Sequence, residues 1–71
     1  MSFDSVQMEL THIVMDTGEV RGYLAGFEIV VLKEKEFPYA AIFDYLLMLP
    51  HSIWVIKSEE KLVVKTKPVT D

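Results

Sequence analysis

Residues 6–10 alternate apolar and polar side chains, reading Val-Gln-Met-Glu-Leu. A period of two is typical of a half-buried β-strand. The run continues over 11–15, where both faces become apolar, as a bulge or sharp bend in a barrel strand would produce. The pattern therefore predicts a first strand that extends from 6 to 15.

Turn residues and glycines organise the next segment. The Asp-Thr-Gly sequence at 16–18 is a turn signal, and its glycine is free to adopt a positive φ. Residues 19–27 then read as a return strand. Gly22 and Gly26 inside it indicate a bend or a close approach of two backbones. A β-branched run over 29–32 predicts a further strand.

The C-terminal part contains two more short strands, over 52–56 and 62–64, on either side of a polar turn at 58–60. Three lysines before and after this last run share one parity, so one face of a C-terminal strand would be basic: Lys61, Lys65 and Lys67. Lysines on an edge strand discourage aggregation, and we expect that role for them. A phosphate-binding face is the alternative.

Residues 39–49, which read YAAIFDYLLML, fit two structures. Propensity favours a helix, with Pro38 near its start and Pro50 at its end. Such a helix would be apolar nearly all the way round, and a chain of 71 residues cannot easily enclose it. We predict a strand over 43–49, with one face in the core and the other against a neighbouring subunit. A helix packed on a four-stranded sheet is the alternative.

Size and composition predict a small domain that needs partners. The chain has 71 residues, is 51% hydrophobic and contains no cysteine. A domain this small is marginally stable alone, and small scaffolds usually need a metal, disulfides or oligomerisation. Because neither a metal motif nor a cysteine pair is present, oligomerisation is expected. The sequence shows no signal-peptide pattern and no membrane span, so a cytoplasmic location is also expected.

The chain is acidic, with seven Lys and Arg against eleven Asp and Glu and a net charge of −4. This balance argues against the basic surface that most nucleic-acid-binding domains carry.

Residues 13–34 read IVMDTGEVRGYLAGFE followed by IVVLKE: a strand, a turn that ends in glycine, and a second strand with a Gly-Tyr-Leu-Ala-Gly-Phe-Glu stretch. Residues 41–56, AIFDYLLMLPHSIWVI, have the shape of a strand, a short turn and another strand. In this order the two segments resemble the two motifs of the Sm/LSm/Hfq family of small RNA-associated proteins. Residues 57–71 would then be a C-terminal extension.

The resemblance implies a mainly β fold over residues 1–71: a strongly bent five-stranded antiparallel open barrel of the Sm-like or SH3-like type, with room for an extra C-terminal strand. It also implies self-association in a ring of five to seven subunits, by pairing of edge strands between neighbours. The ring contacts would lie between 43–49 and 52–57. The candidate interface residues are Phe43, Tyr45, Leu47, Leu49, Ile53, Trp54 and Val55.

The resemblance further implies binding of single-stranded RNA at two turns. The candidate RNA-binding residues are Phe27, Glu28, Pro50 and His51. The family's base-contacting Asn has no counterpart, because Ile-Val-Val follows Glu28, and Leu-Pro or Pro-His replaces its Arg-Gly pair. The alternative function is therefore an acidic protein-interaction module, for example an inhibitor of a nucleic-acid enzyme.

No sequence motif indicates catalysis. The chain has no glycine-rich phosphate loop, no HExxH and no local Ser/His/Asp set. We expect neither enzymatic activity nor a cofactor. Of the two histidines, we expect His12 in the core or an interface and His51 at a turn, and we expect no metal site at either.

Overall fold

The computed structural model describes residues 3–23 and 25–69. Its elements are α1 (Phe3–Val14), a 3-10 turn (Met15–Thr17), β1 (Gly18–Tyr23), β2 (Gly26–Val31), α2 (Tyr39–Met48), β3 (His51–Ser58) and β4 (Lys61–Pro68). The strands form one antiparallel sheet in the order β1-β2-β4-β3, so β1 and β3 are its edges. The mainly β class is confirmed, but the described residues form an open four-stranded sheet with two helices in place of a five-stranded barrel.

The N-terminal segment is helical, and the predicted strand over 6–15 is wrong. Val6, Leu10 and Val14 recur every fourth residue and are buried, whereas Met8 is 72% exposed. A spacing of four places side chains on one face of a helix. The alternation at 6–10 is misleading because Val6 and Leu10 would share a face in either a strand or a helix. Only Met8, which a strand would place on the same face and a helix does not, distinguishes the two structures.

Residues 39–48 adopt the helical alternative as α2, and the predicted strand over 43–49 is wrong. The helix follows Pro38, whose carbonyl accepts the N–H of Ile42 at 3.0 Å. Ile42 and Leu46 are fully buried one turn apart, while Leu47 and Met48 are 61% and 69% exposed. The fold does not enclose this apolar helix. It leaves one apolar side of the helix at the surface.

The predicted strand over 19–27 is divided between β1 and β2. These two strands form an antiparallel hairpin whose last pair is Tyr23 and Gly26. Position 24 lies outside the described residues. The chain leaves α1 through Met15, which has a φ of 52°. Gly18 already belongs to β1 and is extended, with a φ of −159°, so it does not use the positive φ that glycine permits.

The two C-terminal strands are confirmed and longer than predicted. They form a hairpin in which Ser58 pairs with Lys61, and Glu59 in the turn has a φ of 52°. Because β4 pairs with both β2 and β3, it is a central strand, and the expectation of an edge strand for its lysines is wrong. Positions 70–71 of the predicted C-terminal extension lie outside the described residues.

The core lies between the helices and one face of the sheet. The buried apolar residues are Val6, Leu10, Val14, Phe27, Ile29, Val31, Phe37, Ile42, Leu46 and Val64. Residues of the opposite parity lie on the other face, which neither helix covers; we call it the open face. Within the described part of the chain, no helix is long and apolar enough to cross a membrane.

Candidate interaction surfaces

An apolar groove runs between α2 and β3. The lining residues are Phe43, Leu47, Ile53, Trp54 and Val55. Leu47, Trp54 and Val55 are 61%, 40% and 49% exposed. No strand among the described residues pairs with the outer side of β3, so its backbone there is open to another chain. We refer to this groove and the outer side of β3 together as the apolar edge.

The apolar edge follows from two simple patterns in the sequence. Phe43 and Leu47 are four residues apart, so they lie on one side of α2, beside the buried Ile42 and Leu46. On β3, residues 53–56 are all apolar, so both faces of this edge strand carry apolar side chains.

Five of the seven predicted interface residues lie together in the groove, although 43–48 form a helix. Tyr45 and Leu49 instead pack against the core. Burial, and to a smaller extent the charge of Glu9, raises the pKa of the Tyr45 hydroxyl. Subunit contact at these residues stays a prediction.

The open face carries a mixed row of charged and aromatic side chains. Lys65 Nζ lies 3.8 Å from Glu28 Oε2 and 4.1 Å from the centre of the Tyr23 ring. Tyr23 pairs with Gly26, which has no side chain, so the ring can lie across β2 and reach Lys65. Trp54 on the neighbouring strand β3 pairs with Lys65 and lies on the same face, so it flanks the lysine on the side away from β2.

Cations outnumber anions on the open face, although the whole chain is acidic. Its parity places four cationic and two acidic side chains there: Arg21, Lys61, Lys65, Lys67, Glu19 and Glu28. Arg21 Nε donates a hydrogen bond to Glu19 Oε1 at 2.6 Å, so this pair is partly neutralised. Lys65 is likewise paired with Glu28, so the exposed Lys61 and Lys67 are the cations best placed for an anionic ligand.

The four predicted RNA-binding residues do not form one surface. Phe27 is 1% exposed and His51 is 8% exposed, so neither ring is presented for stacking on a base. Glu28 lies on the open face, and Pro50 is exposed in the turn that joins α2 to β3. The side chains of Phe27 and His51 point to the helix-covered side of the sheet. Phe27 pairs with the buried Thr66, and His51 pairs with Pro68, which lies two residues further along β4 and therefore on the same face as Thr66.

His51 is held inside the fold by one polar contact. Its Nδ1 lies 2.7 Å from the Thr66 hydroxyl oxygen, and both residues are buried. Burial lowers the pKa of the His51 imidazole because the charged form loses hydration. His51 therefore has a structural place at the start of β3. His12 is exposed in the last turn of α1, so its predicted place in the core is wrong, whereas an interface position for it stays a prediction.

No metal centre is formed by the described residues, because no three His, Cys, Asp or Glu side chains converge there. We compared the chain with models of known protein families, with curated proteins and with solved structures, and none of them matches. The function is therefore proposed from the geometry of the chain itself.

Proposed function

We propose that this protein is a non-enzymatic interaction module that assembles with copies of itself through the apolar edge. The observation that carries the proposal is the position of an apolar groove directly beside an unpaired edge strand.

Both parts of the apolar edge favour association. A long apolar edge strand offers unpaired N–H and C=O groups to another chain, and natural proteins usually protect such edges with charges or cover them. The exposed groove adds apolar area whose burial is favourable at about 25 cal/mol per Å². A domain of 71 residues gains proportionally more from this burial than a large one, because its own core is small.

The form of the assembly is open to a direct measurement. The Sm-like interpretation of the sequence predicts a cytoplasmic ring of five to seven subunits, but it assumed a strand over 43–49, where the chain forms α2. A ring would have to pair two different edges, which in this open sheet are the charged β1 and the apolar β3. Native mass spectrometry distinguishes such a ring from a smaller assembly by its mass in multiples of 8.2 kDa.

The test compares Val55→Lys with Leu32→Lys. Val55 lies on the apolar edge, whereas Leu32 is 61% exposed just after β2, so the two variants make the same chemical change at different sites. We expect the wild-type protein and Leu32→Lys to form one oligomer in native mass spectrometry. We expect Val55→Lys to be monomeric, because a charge on the edge opposes pairing.

Two results would contradict the proposal. One is a monomeric wild-type protein at every concentration up to the millimolar range. The other is an unchanged oligomer for Val55→Lys, which would place the contact elsewhere on the molecule. Circular dichroism of both variants shows whether each remains folded.

A second candidate function is binding of single-stranded RNA on the open face. It is supported by the β4 lysines beside two half-exposed aromatic rings, Tyr23 and Trp54. Single-stranded nucleic acids bind to surfaces that combine cations for the phosphates with rings on which bases stack. The buried Phe27 and His51 would have no direct contact with RNA at this site.

Oligo-U and oligo-A with a fluorescent label test this candidate by anisotropy. Lys67→Glu changes a cation of the open face, and Lys35→Glu makes the same change in the exposed loop after β2. If RNA binds there, Lys67→Glu weakens binding and reduces its salt dependence by about one phosphate contact, while Lys35→Glu has a smaller effect. Absence of RNA binding by the wild-type protein would leave the protein-interaction module as the function.

A further inference from the structure

We infer that two copies of the chain pair their β3 strands antiparallel, about a two-fold axis at Trp54, and so join their sheets into one. This inference rests on the proposed function and specifies the partner and the register.

The polar pattern of β3 is the same when read from either end. Residues 51–52 are polar, 53–56 are apolar and 57–58 are polar. An antiparallel partner with its axis at Trp54 therefore places apolar residues opposite apolar residues over 53–55 and His51 opposite Lys57, and only Ser52 and Ile56 form a mixed pair. An interface formed by the same patch on both copies needs this kind of self-complementarity.

Symmetry restricts the possible registers. A two-fold axis perpendicular to the sheet keeps each face on its own side, so every residue is opposite a residue of the same parity. With the axis at Trp54, Ile53 lies opposite Val55 of the second copy and Ser52 lies opposite Ile56. The pairs of Ile53 and Val55 lie on the helix-covered side and extend the two grooves into one apolar seam.

The charges around β3 favour this arrangement. The strand has no acidic residue, and the acidic turn residues Glu59 and Glu60 lie at its end, so the two turns are far apart in the antiparallel pair. Lys57, the one cation of the strand, faces His51 of the second copy. That imidazole is buried and is kept neutral near pH 7, so no like charges are opposed.

The other edge lacks this complementarity. β1 exposes Glu19 and Arg21 in the middle of the strand, and charged side chains there protect an edge from pairing. The outer side of β3 has its lysine only near the end. Pairing of β3 with β3 therefore buries apolar residues against each other, whereas pairing of β3 with β1 would place charges against them.

Engineered cysteines test the register, since the chain has no natural cysteine. Ser52 and Ile56 are exposed on the open face, so both accept substitution. In the proposed register the double variant Ser52→Cys/Ile56→Cys places the cysteine at position 52 of one copy opposite the cysteine at position 56 of the other. Their Cα atoms are then about 5 Å apart. Within one copy the two positions are about 13 Å apart, which no disulfide spans.

We expect the double variant, after mild oxidation, to migrate as a covalent dimer on a non-reducing gel. Each single variant, Ser52→Cys and Ile56→Cys, is a matched control and stays monomeric on that gel. Its one cysteine is about 13 Å from the same cysteine of the second copy, which is too far for a disulfide. Oxidation in urea gives the background of random collisions. The variant Ser52→Cys/Ser58→Cys tests a register centred on Val55.

The results separate this inference from the proposed function. An oligomeric wild-type protein whose Ser52→Cys/Ile56→Cys variant fails to cross-link overturns the two-fold pairing at Trp54 and leaves self-association intact. Preferential cross-linking of Ser52→Cys/Ser58→Cys also overturns that register. A wild-type protein that is monomeric in native mass spectrometry overturns both.

Discussion

Gly26 lies where the backbones of β2 and β4 approach each other closely. A Cβ at this position would be 1.9 Å from the carbonyl oxygen of Thr66 and 2.6 Å from the Cα of Lys67. Both are backbone atoms, so the two central strands would have to separate to admit a side chain. The sequence indicated a bend or a close backbone approach at Gly26, and the close approach is confirmed.

Gly26→Ala should therefore destabilise the fold. We expect a loss of about 2 kcal/mol or more in the free energy of unfolding, in the upper range for overpacked sites. Gly22→Ala, on the exposed edge strand β1, is the control and should change stability little. Urea unfolding followed by circular dichroism gives both values. Equal midpoints for Gly26→Ala and the wild type would contradict the close approach.

His51 should make stability depend on pH. Its pKa is lowered in the folded state by burial, so the unfolded chain binds the proton more tightly than the folded one. The stabilisation is complete above the unfolded pKa of about 6.5 and is lost as the pH falls through the lower folded value. We expect the free energy of unfolding to decrease between about pH 7 and pH 5.

His51→Gln tests that assignment, since glutamine can still contact the Thr66 hydroxyl but does not titrate. The decrease in stability between pH 7 and pH 5 should be smaller in this variant. His12→Gln removes the exposed histidine of α1 and is the matched control. An identical pH profile for His51→Gln and the wild type would show that another group is responsible.

At the scale of elements, α2 has two different apolar sides. Leu46 is fully buried against the core, while its neighbour Leu47 is 61% exposed and lines the groove. One side of the helix therefore stabilises the fold, and the other is available to a second molecule.

Leu46→Ala and Leu47→Ala should separate folding from association. We expect Leu46→Ala to reduce the free energy of unfolding by about 3 kcal/mol, as for other fully buried leucines. Leu47→Ala should change monomer stability by less than about 0.5 kcal/mol and weaken the oligomer. Urea unfolding at low concentration and native mass spectrometry measure the two effects. A destabilised Leu47→Ala monomer would contradict this division of α2.

The elements that the sequence predicted well are those whose spacing of apolar residues fits only one kind of secondary structure. The hairpin of β3 and β4 combines β-branched runs with a polar turn, and no helix fits its pattern. α1 and α2 were harder to predict for opposite reasons. The alternation at 6–10 favours a strand because the exposed Met8 is apolar. In α2, nearly every side is apolar, so the sequence does not show which side faces the core and which the surface.

The candidate interface illustrates what sequence can and cannot give. The Sm-like resemblance named Phe43, Leu47, Ile53, Trp54 and Val55 as interface residues, and these five do line one groove, while their contact with another subunit stays a prediction. The open face could not be predicted in the same way. It depends on β4 lying between β2 and β3, and strand order involves contacts between distant residues.

At the scale of the whole molecule, salt should act in opposite directions on the two proposed interactions. Each copy carries a net charge of −4, so copies repel one another at long range and salt screens this repulsion. Apolar contacts at the edge do not weaken with salt. Self-association should therefore strengthen between about 0.05 M and about 0.5 M NaCl, whereas RNA binding should weaken steeply.

Sedimentation velocity at several salt concentrations measures the first effect, and anisotropy of labelled oligo-U measures the second. Oligomers that dissociate as salt increases would mean that charged contacts, such as those of β1, hold the copies together.

Trp54 is the single tryptophan of the chain, and it lies at the centre of the apolar edge with 40% of its surface exposed. Indole fluorescence shifts to shorter wavelength when water around the ring is replaced by apolar groups. The unmodified protein therefore contains its own optical reporter: a dilution series should move its emission maximum to the red as the copies separate. The midpoint of that shift would give the dissociation constant without a label.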